Sequence, residues 1–405
     1  MTMLAMPLDT NPTAPPAVST ALLPIMMVVL VAFLVIGLGL PVLPLHVHEG
    51  LGLGTFAVGL VAGSQFAASL LTRAWAGDYA DRRGARRGVT IGLLATAMSG
   101  LLYLLSLGFV ATPAVSAAIL ILGRALLGGA ESLVITSAVA WGLGLVASRD
   151  AGRVIAWVGM AMFAALAMGA PMGMTLYATG GFGAIAGATI LVPLGTLLLV
   201  ARLTDVPPSR SGRRPAFLSV ARTVWMPGIG AALSSIGFGA ILAFGALLFA
   251  ERGWHPVWLA FTAYAAGLIA ARALFGHLPD RLGGARVALV SVLIEATGLI
   301  LIWLASGPVT AAIGAVMTGF GYSLVYPGLG LEAVRQAPPE SRGMVMGIYT
   351  MFLDVALGLG GPVLGLIASW TGLGSVFLAS AGVVLCTSIV ALRLIRSSGG
   401  LRWRD

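Results

Sequence analysis

Arg73-Ala-Trp-Ala-Gly77-Asp-Tyr-Ala-Asp81-Arg82-Arg83-Gly84 returns 199 residues later as Arg272-Ala-Leu-Phe-Gly276-His-Leu-Pro-Asp280-Arg281-Leu-Gly283. An Arg, a Gly, an Asp-Arg pair and a Gly hold the same places in both copies. Each copy closes one apolar run and leads into the next, so the chain reads as two equivalent halves. Two further matches support this. Gly142-Leu-Gly144-Leu-Val-Ala147-Ser-Arg149 resembles Gly328-Leu-Gly330-Leu-Glu-Ala333-Val-Arg335 at an offset of 186. Gly169-Ala-Pro171-Met-Gly173 resembles Gly360-Gly361-Pro362-Val-Leu-Gly365 near 191.

Composition says what the halves are made of. Of 405 residues, 59% are hydrophobic and 9% charged, against about 25% charged in a soluble domain. High hydrophobicity also excludes a disordered chain. The 56 glycines have no three-residue period, which excludes collagen, and the lone Cys386 excludes a disulfide scaffold or a cysteine-built metal site. Apolar runs near 22–45, 55–77, 88–108, 115–146, 153–176, 182–203, 223–249, 257–278, 287–306, 309–334, 343–368 and 373–395 have membrane-helix length, about 20 residues. The expected fold is an all-α integral membrane protein of twelve transmembrane helices in two pseudo-symmetric six-helix halves. Residues 1–20 read as a disordered cytoplasmic tail and 21–203 as the first half. The Pro/Ser/Arg-rich stretch 204–221 reads as a cytoplasmic linker, 222–396 as the second half and 397–405 as a cytoplasmic tail.

The net charge of +9 invites a nucleic-acid reading, but its distribution does not. With twelve spans, nineteen of the 23 basic residues, all Arg, fall in the loops and tails on the side of the termini. Arg252 alone falls in the opposite loops, and Arg73, Arg124 and Arg272 fall inside spans. Positive charge marks the cytoplasmic side, so both termini are expected in the cytoplasm, with the chain multi-pass in the inner membrane.

At Gly77-Asp-Tyr-Ala-Asp81-Arg82-Arg83-Gly84-Ala-Arg86-Arg87 the chain resembles the major facilitator superfamily, whose signature between spans 2 and 3 is G-x-x-x-D-R-x-G-R-R, with one residue inserted here. The phrasing at Gly39–Pro44, Gly152–Ile155 and Tyr349–Gly361 resembles a bacterial subfamily labelled arabinose efflux permease-like or uncharacterised. The resemblance implies a rocker-switch carrier in which spans 1, 4, 7 and 10 line the cavity. Spans 2, 5, 8 and 11 would join the halves.

Within that frame, Gly77, Asp81, Arg82, Gly84, Arg86 and Arg87, with Gly276, Asp280, Arg281 and Gly283, form the expected conformational gate. Gly77 would allow close approach to the other half, and Asp81 could accept from Arg groups or a helix N-terminus. Arg124 and Glu131 lie seven residues apart on one face of span 4. A charge in the bilayer is costly unless paired or facing water. At offset 186 they map to Thr310 and Met317, so neither charge is mirrored. Asp354 lies mid-span 11 and maps to about Phe163, again unmirrored. An isolated buried carboxylate tends to take up a proton, as a proton-coupled carrier needs. Glu295 lies mid-span 9, where packing competes with coupling. Glu332 and Arg335 read as a neighbouring pair near the cytoplasmic end.

Gly169, Pro171 and Gly173 resemble the family's antiporter-associated motif, altered from G-P-x-x-G-G; with Gly361 and Pro362 they are helix-interface candidates. Gln65, Trp141, Tyr322, Tyr326 and Tyr349 are candidates for contacting an organic ligand in the cavity. Pro41 and Pro44 close span 1, and His46 and His48 after them are expected in external loop water. Gly50-Leu-Gly-Leu-Gly54 has no βαβ context and is not a nucleotide fingerprint.

The resulting expectation is a secondary active transporter exporting a small organic molecule by proton antiport. Its partners would be the bilayer, the substrate and protons, with no cofactor, no metal and no nucleic acid, in a monomer. Import or facilitated passage of a sugar or metabolite is the alternative, and a non-transporting sensor a distant one. Four scattered His and one Cys offer no catalytic cluster for a membrane enzyme.

Overall fold

The computed structural model describes residues 18–146, 151–205, 217–335 and 342–399. Residues 1–17, most of the linker (206–216) and the last tail residues (400–405) lie outside the described residues. Among those described there are helices and no strand. They run as α1 (Val18–Leu45), α2 (Thr55–Arg83), α3 (Ala85–Leu107), α4 (Pro113–Leu145), α5 (Ala151–Ala201) and α6 (Phe217–Glu251). Then follow α7 (Leu259–Phe275), the short α8 (Leu278–Leu282), α9 (Gly284–Leu304), α10 (Pro308–Arg335), α11 (Arg342–Thr371) and α12 (Leu373–Gly399).

Ten of these are long and apolar enough to cross a membrane. One of the ten, α5, crosses twice: Gly181 at φ 63° breaks it into two passes, a conformation that only Gly adopts without strain. The shorter apolar α7 supplies the twelfth pass. Large apolar side chains such as Leu71, Trp370, Leu198 and Leu191 stand outward, where hydrocarbon rather than water is their solvent.

The two halves pack alike. In the first, α1 lies on α5, α2 on α4, α3 on α4, and α3 on α5. In the second, α6 lies on α11, α7 on α10, α9 on α10, and α9 on α12. Gly84 and Gly283 both sit at φ 94° and each joins two helices end to end. The halves meet where α2 contacts α11, where α5 contacts α7, and where α1 contacts α6.

Close backbone approaches correct the register between α4 and α10. Gly92 packs on the Ala130 carbonyl, and Gly321 on Ser291; Gly123 packs on Tyr103, and Gly314 on Ile302. These pairs match at an offset of 199 for α3/α9 and 191 for α4/α10, not 186. Arg124 therefore corresponds to Ala315 and Glu131 to Tyr322. The 186 match followed residue identity at the helix ends; small residues at crossing points fix the true register because only they let backbones approach.

Candidate functional site

The site is built on the seam between α2 and α11. Small residues bring the two backbones together: Gly59 and Gly63 of α2 face Gly361 and Gly358 of α11, with Pro362 beside them. Thr55 Oγ1 donates to the Gly365 carbonyl at 2.8 Å. Further along the same seam the side chains become charged. Arg73 Nε donates to Asp354 Oδ2 at 2.7 Å and Nη2 to Oδ1 at 3.1 Å. This bidentate pair joins one half to the other. Asp354 is 2% exposed and the Arg73 side chain 20%. Asp354 is thus not the isolated carboxylate its span suggested; its partner is an arginine that sequence reading left outside the site. The signal was present, since a span Arg mirrored at Arg272 demands a partner.

Arg73 extends into the first half. Its Nη2 also donates to Ser69 Oγ at 3.2 Å, and Ser69 exchanges a hydroxyl hydrogen bond with Ser132 at 2.9 Å. One residue before Ser132, Glu131 accepts from Gln65 Nε2 at 2.5 Å. Glu131 lies within electrostatic reach of Asp354, Arg73 and Arg124. Glu131 and Arg124 share a helix face but form no ion pair; Gln65 is the hydrogen-bond partner of Glu131 instead. Arg124 is buried, with its Nε lacking a hydrogen-bond partner.

The second half carries aromatic groups at the matching places. Tyr264 stands where Gln65 does, and Tyr322 where Glu131 does. Their rings lie 6.5 Å apart, and Phe238 stacks on both at 5.5 and 5.7 Å. Tyr322 and Ser235 share a hydroxyl contact at 3.3 Å, while the Tyr264 hydroxyl is buried without a partner. Tyr326 and Thr350 share a hydroxyl hydrogen bond at 2.8 Å, and Tyr349 donates to the Tyr326 carbonyl at 2.7 Å. Arg272, the counterpart of Arg73, lies 5.4 Å from the ring centre of Phe163, the counterpart of Asp354.

Other candidates fall elsewhere. Trp141 is buried and its indole donates to the Thr204 carbonyl at 3.0 Å, tying α4 to the chain after α5. Glu295 is fully buried; it accepts from Ser234 at 2.6 Å, and its Oε1 lacks a partner. Gly169 and Gly173 pack on Gly37 and Leu38 of α1, within their own half, while Gly361 and Pro362 lie in the seam. Pro171 lies inside α5. Pro41 and Pro44 do not end the first helix: α1 runs on through Leu45 into a π turn, His46–Gly50. His46 is not in external water; it is buried and stacked 3.9 Å from Phe182. His48 Nδ1 bonds the Leu53 carbonyl at 2.8 Å.

The residues expected to form the gate lie at the matching turns. Arg82 pairs with Asp78 at 2.9 Å on the surface, and Arg86 donates to the Ala201 carbonyl at 2.8 Å. Arg86 and Arg87 line a surface cavity of about 350 Å³ with Tyr79, Thr90, Ile91 and Asp205. Asp81 is half-buried, Asp280 and Arg281 are exposed, and Gly276 caps α7. The close approach expected at Gly77 is absent: a side chain there would meet only Thr136 of the same half, at 4.0 Å. In this conformation α2 touches the other half through Gly59 and Gly63 instead. Glu332 pairs with Arg335 at 3.7 Å and accepts from the Ala285 amide at 3.2 Å, holding the start of α9.

Two homologous six-pass halves, joined along a small-residue seam with charges inside it, define a polytopic membrane carrier. The sequence profile of the Major Facilitator Superfamily matches residues 25–260 and 228–405; the chain belongs to that family. It is 43% identical over 364 residues to the uncharacterized MFS-type transporter STM4428 of Salmonella typhimurium, covering 90% of this chain and 94% of that one. It is 38% identical to the uncharacterized MFS-type transporter YhhS of Escherichia coli K12, covering 95% and 96%. Among solved structures, a D-xylose–proton symporter superposes with a TM-score of 0.75 at 14% identity, covering 92% of this chain and 97% of that chain. The nucleoside transporter NupG superposes with a TM-score of 0.73 at 16% identity, covering 92% and 99%. The fold and family make the protein a multi-pass transporter acting on small molecules.

Proposed function

We propose that the protein is a proton-coupled secondary transporter that exports a small organic molecule by antiport. It would work as a monomer in the inner membrane with both termini in the cytoplasm. The two six-pass halves, 21–203 and 222–396, would rock about the seam, joined by the 204–221 linker. The observation that carries this reading is the buried, bidentate Arg73–Asp354 pair linking α2 to α11. A proton on Asp354 removes the negative charge that holds Arg73. The small-residue seam then loses this charged clasp, and the halves can part there. Glu131, held by Gln65 and adjacent in the chain to Ser132, whose hydroxyl meets Ser69 and through it Arg73, is the second proton carrier. Protonation thereby becomes a conformational bias, because the pair exists only while the seam is closed. One proton crossing 100 mV supplies about 2.3 kcal/mol, and one pH unit about 1.4 kcal/mol. Together they support a substrate gradient of several hundred-fold, by about 1.4 kcal/mol per tenfold.

The test uses everted membrane vesicles with a pH-sensitive dye. Sugars, organic acids, amino-acid derivatives and lipophilic cations are added in turn. A compound that discharges the gradient in wild type, and not in Asp354→Asn or Glu131→Gln, is the expected result. Gradient-independent counterflow of a labelled sugar, unchanged in both variants, would instead favour a facilitator.

A further inference from the structure

Among the described residues Arg272 has no counter-ion. Its mirror, Arg73, has Asp354. At the corresponding place Arg272 meets the ring of Phe163, 5.4 Å from its guanidinium carbon. Its Nη2 donates to the Ser323 carbonyl at 3.2 Å. Among the described residues no carboxylate lies within 4.0 Å of it. An arginine has five N–H donors, and a guanidinium placed at membrane depth is costly unless something pairs with it.

The surroundings fit a particular kind of guest. Tyr264, Tyr322 and Tyr326 all lie within electrostatic reach of Arg272. The Tyr264 hydroxyl is buried and unpartnered. Phe238, Tyr264 and Tyr322 form a continuous aromatic wall.

We infer that Arg272 anchors a subsite for a small organic carboxylate, whose apolar part lies on the Phe238–Tyr264–Tyr322 wall. The planar guanidinium matches the two carboxylate oxygens. The guest supplies the negative charge that Phe163 withholds. This rests on the reading that the protein carries small organic molecules.

The test is equilibrium binding to the purified full-length chain, read by thermal midpoint and titration. The probes are acetate, lactate, benzoate and phenylacetate, with benzamide and benzylamine as neutral and cationic analogues. Wild type is expected to be stabilised by at least one carboxylate and by neither analogue. Arg272→Gln should weaken that binding by about 30-fold or more, the scale for truncating one partner of a buried charge pair. Arg272→Lys should keep part of it. Phe163→Asp keeps Arg272 but supplies an internal carboxylate, and should weaken binding comparably; it guards against misfolding of the glutamine variant. Equal binding of benzamide or benzylamine, undiminished carboxylate binding in both variants, or no carboxylate response in wild type would each overturn the inference. Binding is read without a proton gradient. Carboxylate binding without coupled flux would therefore sink only the antiport reading, and coupled flux of a neutral compound without carboxylate binding only this one.

Discussion

The two faces of the pseudo-symmetric centre share a scaffold and differ in chemistry. On one, Arg73 meets Asp354, with the Gln65–Glu131 pair nearby; on the other, Arg272 meets Phe163, and tyrosines 264 and 322 replace that pair. Duplication kept what packing requires. The small residues at the α3/α4 and α9/α10 crossings persist, as does the hydroxyl of Ser132, which returns as Ser323 and donates to the Leu268 carbonyl at 2.8 Å as Ser132 does to Ser69 at 3.1 Å. What changed is charge. A centre with mirrored ion pairs would hold both seams alike; this one has an ion pair on one side and a cation facing an aromatic ring on the other.

The largest expected effect comes from breaking the ionic side unevenly. Asp354→Ala leaves the partly buried Arg73 without its partner, which should cost up to about 3–5 kcal/mol of stability, seen as lower folded yield and thermal midpoint. An Arg73→Met/Asp354→Leu double variant should recover folding but not pH-driven transport. Gly59→Leu should follow, because the new side chain would meet the Gly361 backbone. Overpacking of that kind costs about 1–3 kcal/mol, and cross-linking of cysteines placed along α2 and α11 should report a seam that no longer closes. Gln65→Leu removes the donor to Glu131 and should cost about 1–3 kcal/mol; Tyr264→Phe, its aromatic-side control, removes a hydroxyl without a partner and should cost less in the same thermal assay. Arg335→Ala removes the exposed partner of the buried Glu332, which keeps its bond from the Ala285 amide, and should change stability by about 1 kcal/mol.

Much of this was legible in the sequence. Twelve spans, their duplication and the family followed from hydropathy and the Arg73–Gly84 and Arg272–Gly283 copies, because solvent and backbone constraints leave membrane chains few options. Asp354 stood out because a carboxylate at membrane depth needs a reason. Its partner did not, because 281 residues separate Arg73 from it and only packing of the halves joins them. Helical spacing puts Glu131 on one face with Arg124, yet Gln65 on a neighbouring helix holds it. Helix-face arguments rank neighbours within one helix and are blind to those across a crossing. The gate glycine Gly77 and the true seam glycines Gly59 and Gly63 lie on one helix, and sequence alone offers no means of telling which of them faces the other half.

The central claim is that a proton on Asp354 releases the seam. It is tested most directly by spin labels at Arg83 and Arg335, both exposed at helix ends of opposite halves, in a Cys386→Ser background. Distances are measured at mildly alkaline and mildly acidic pH in wild type and Asp354→Asn. The account predicts that acid moves the wild-type population toward shorter separations, as the seam parts and this end closes, and that Asp354→Asn shows the acid distribution at both pH values. A wild-type distribution indifferent to pH, or an Asp354→Asn variant that still responds as wild type does, would contradict it.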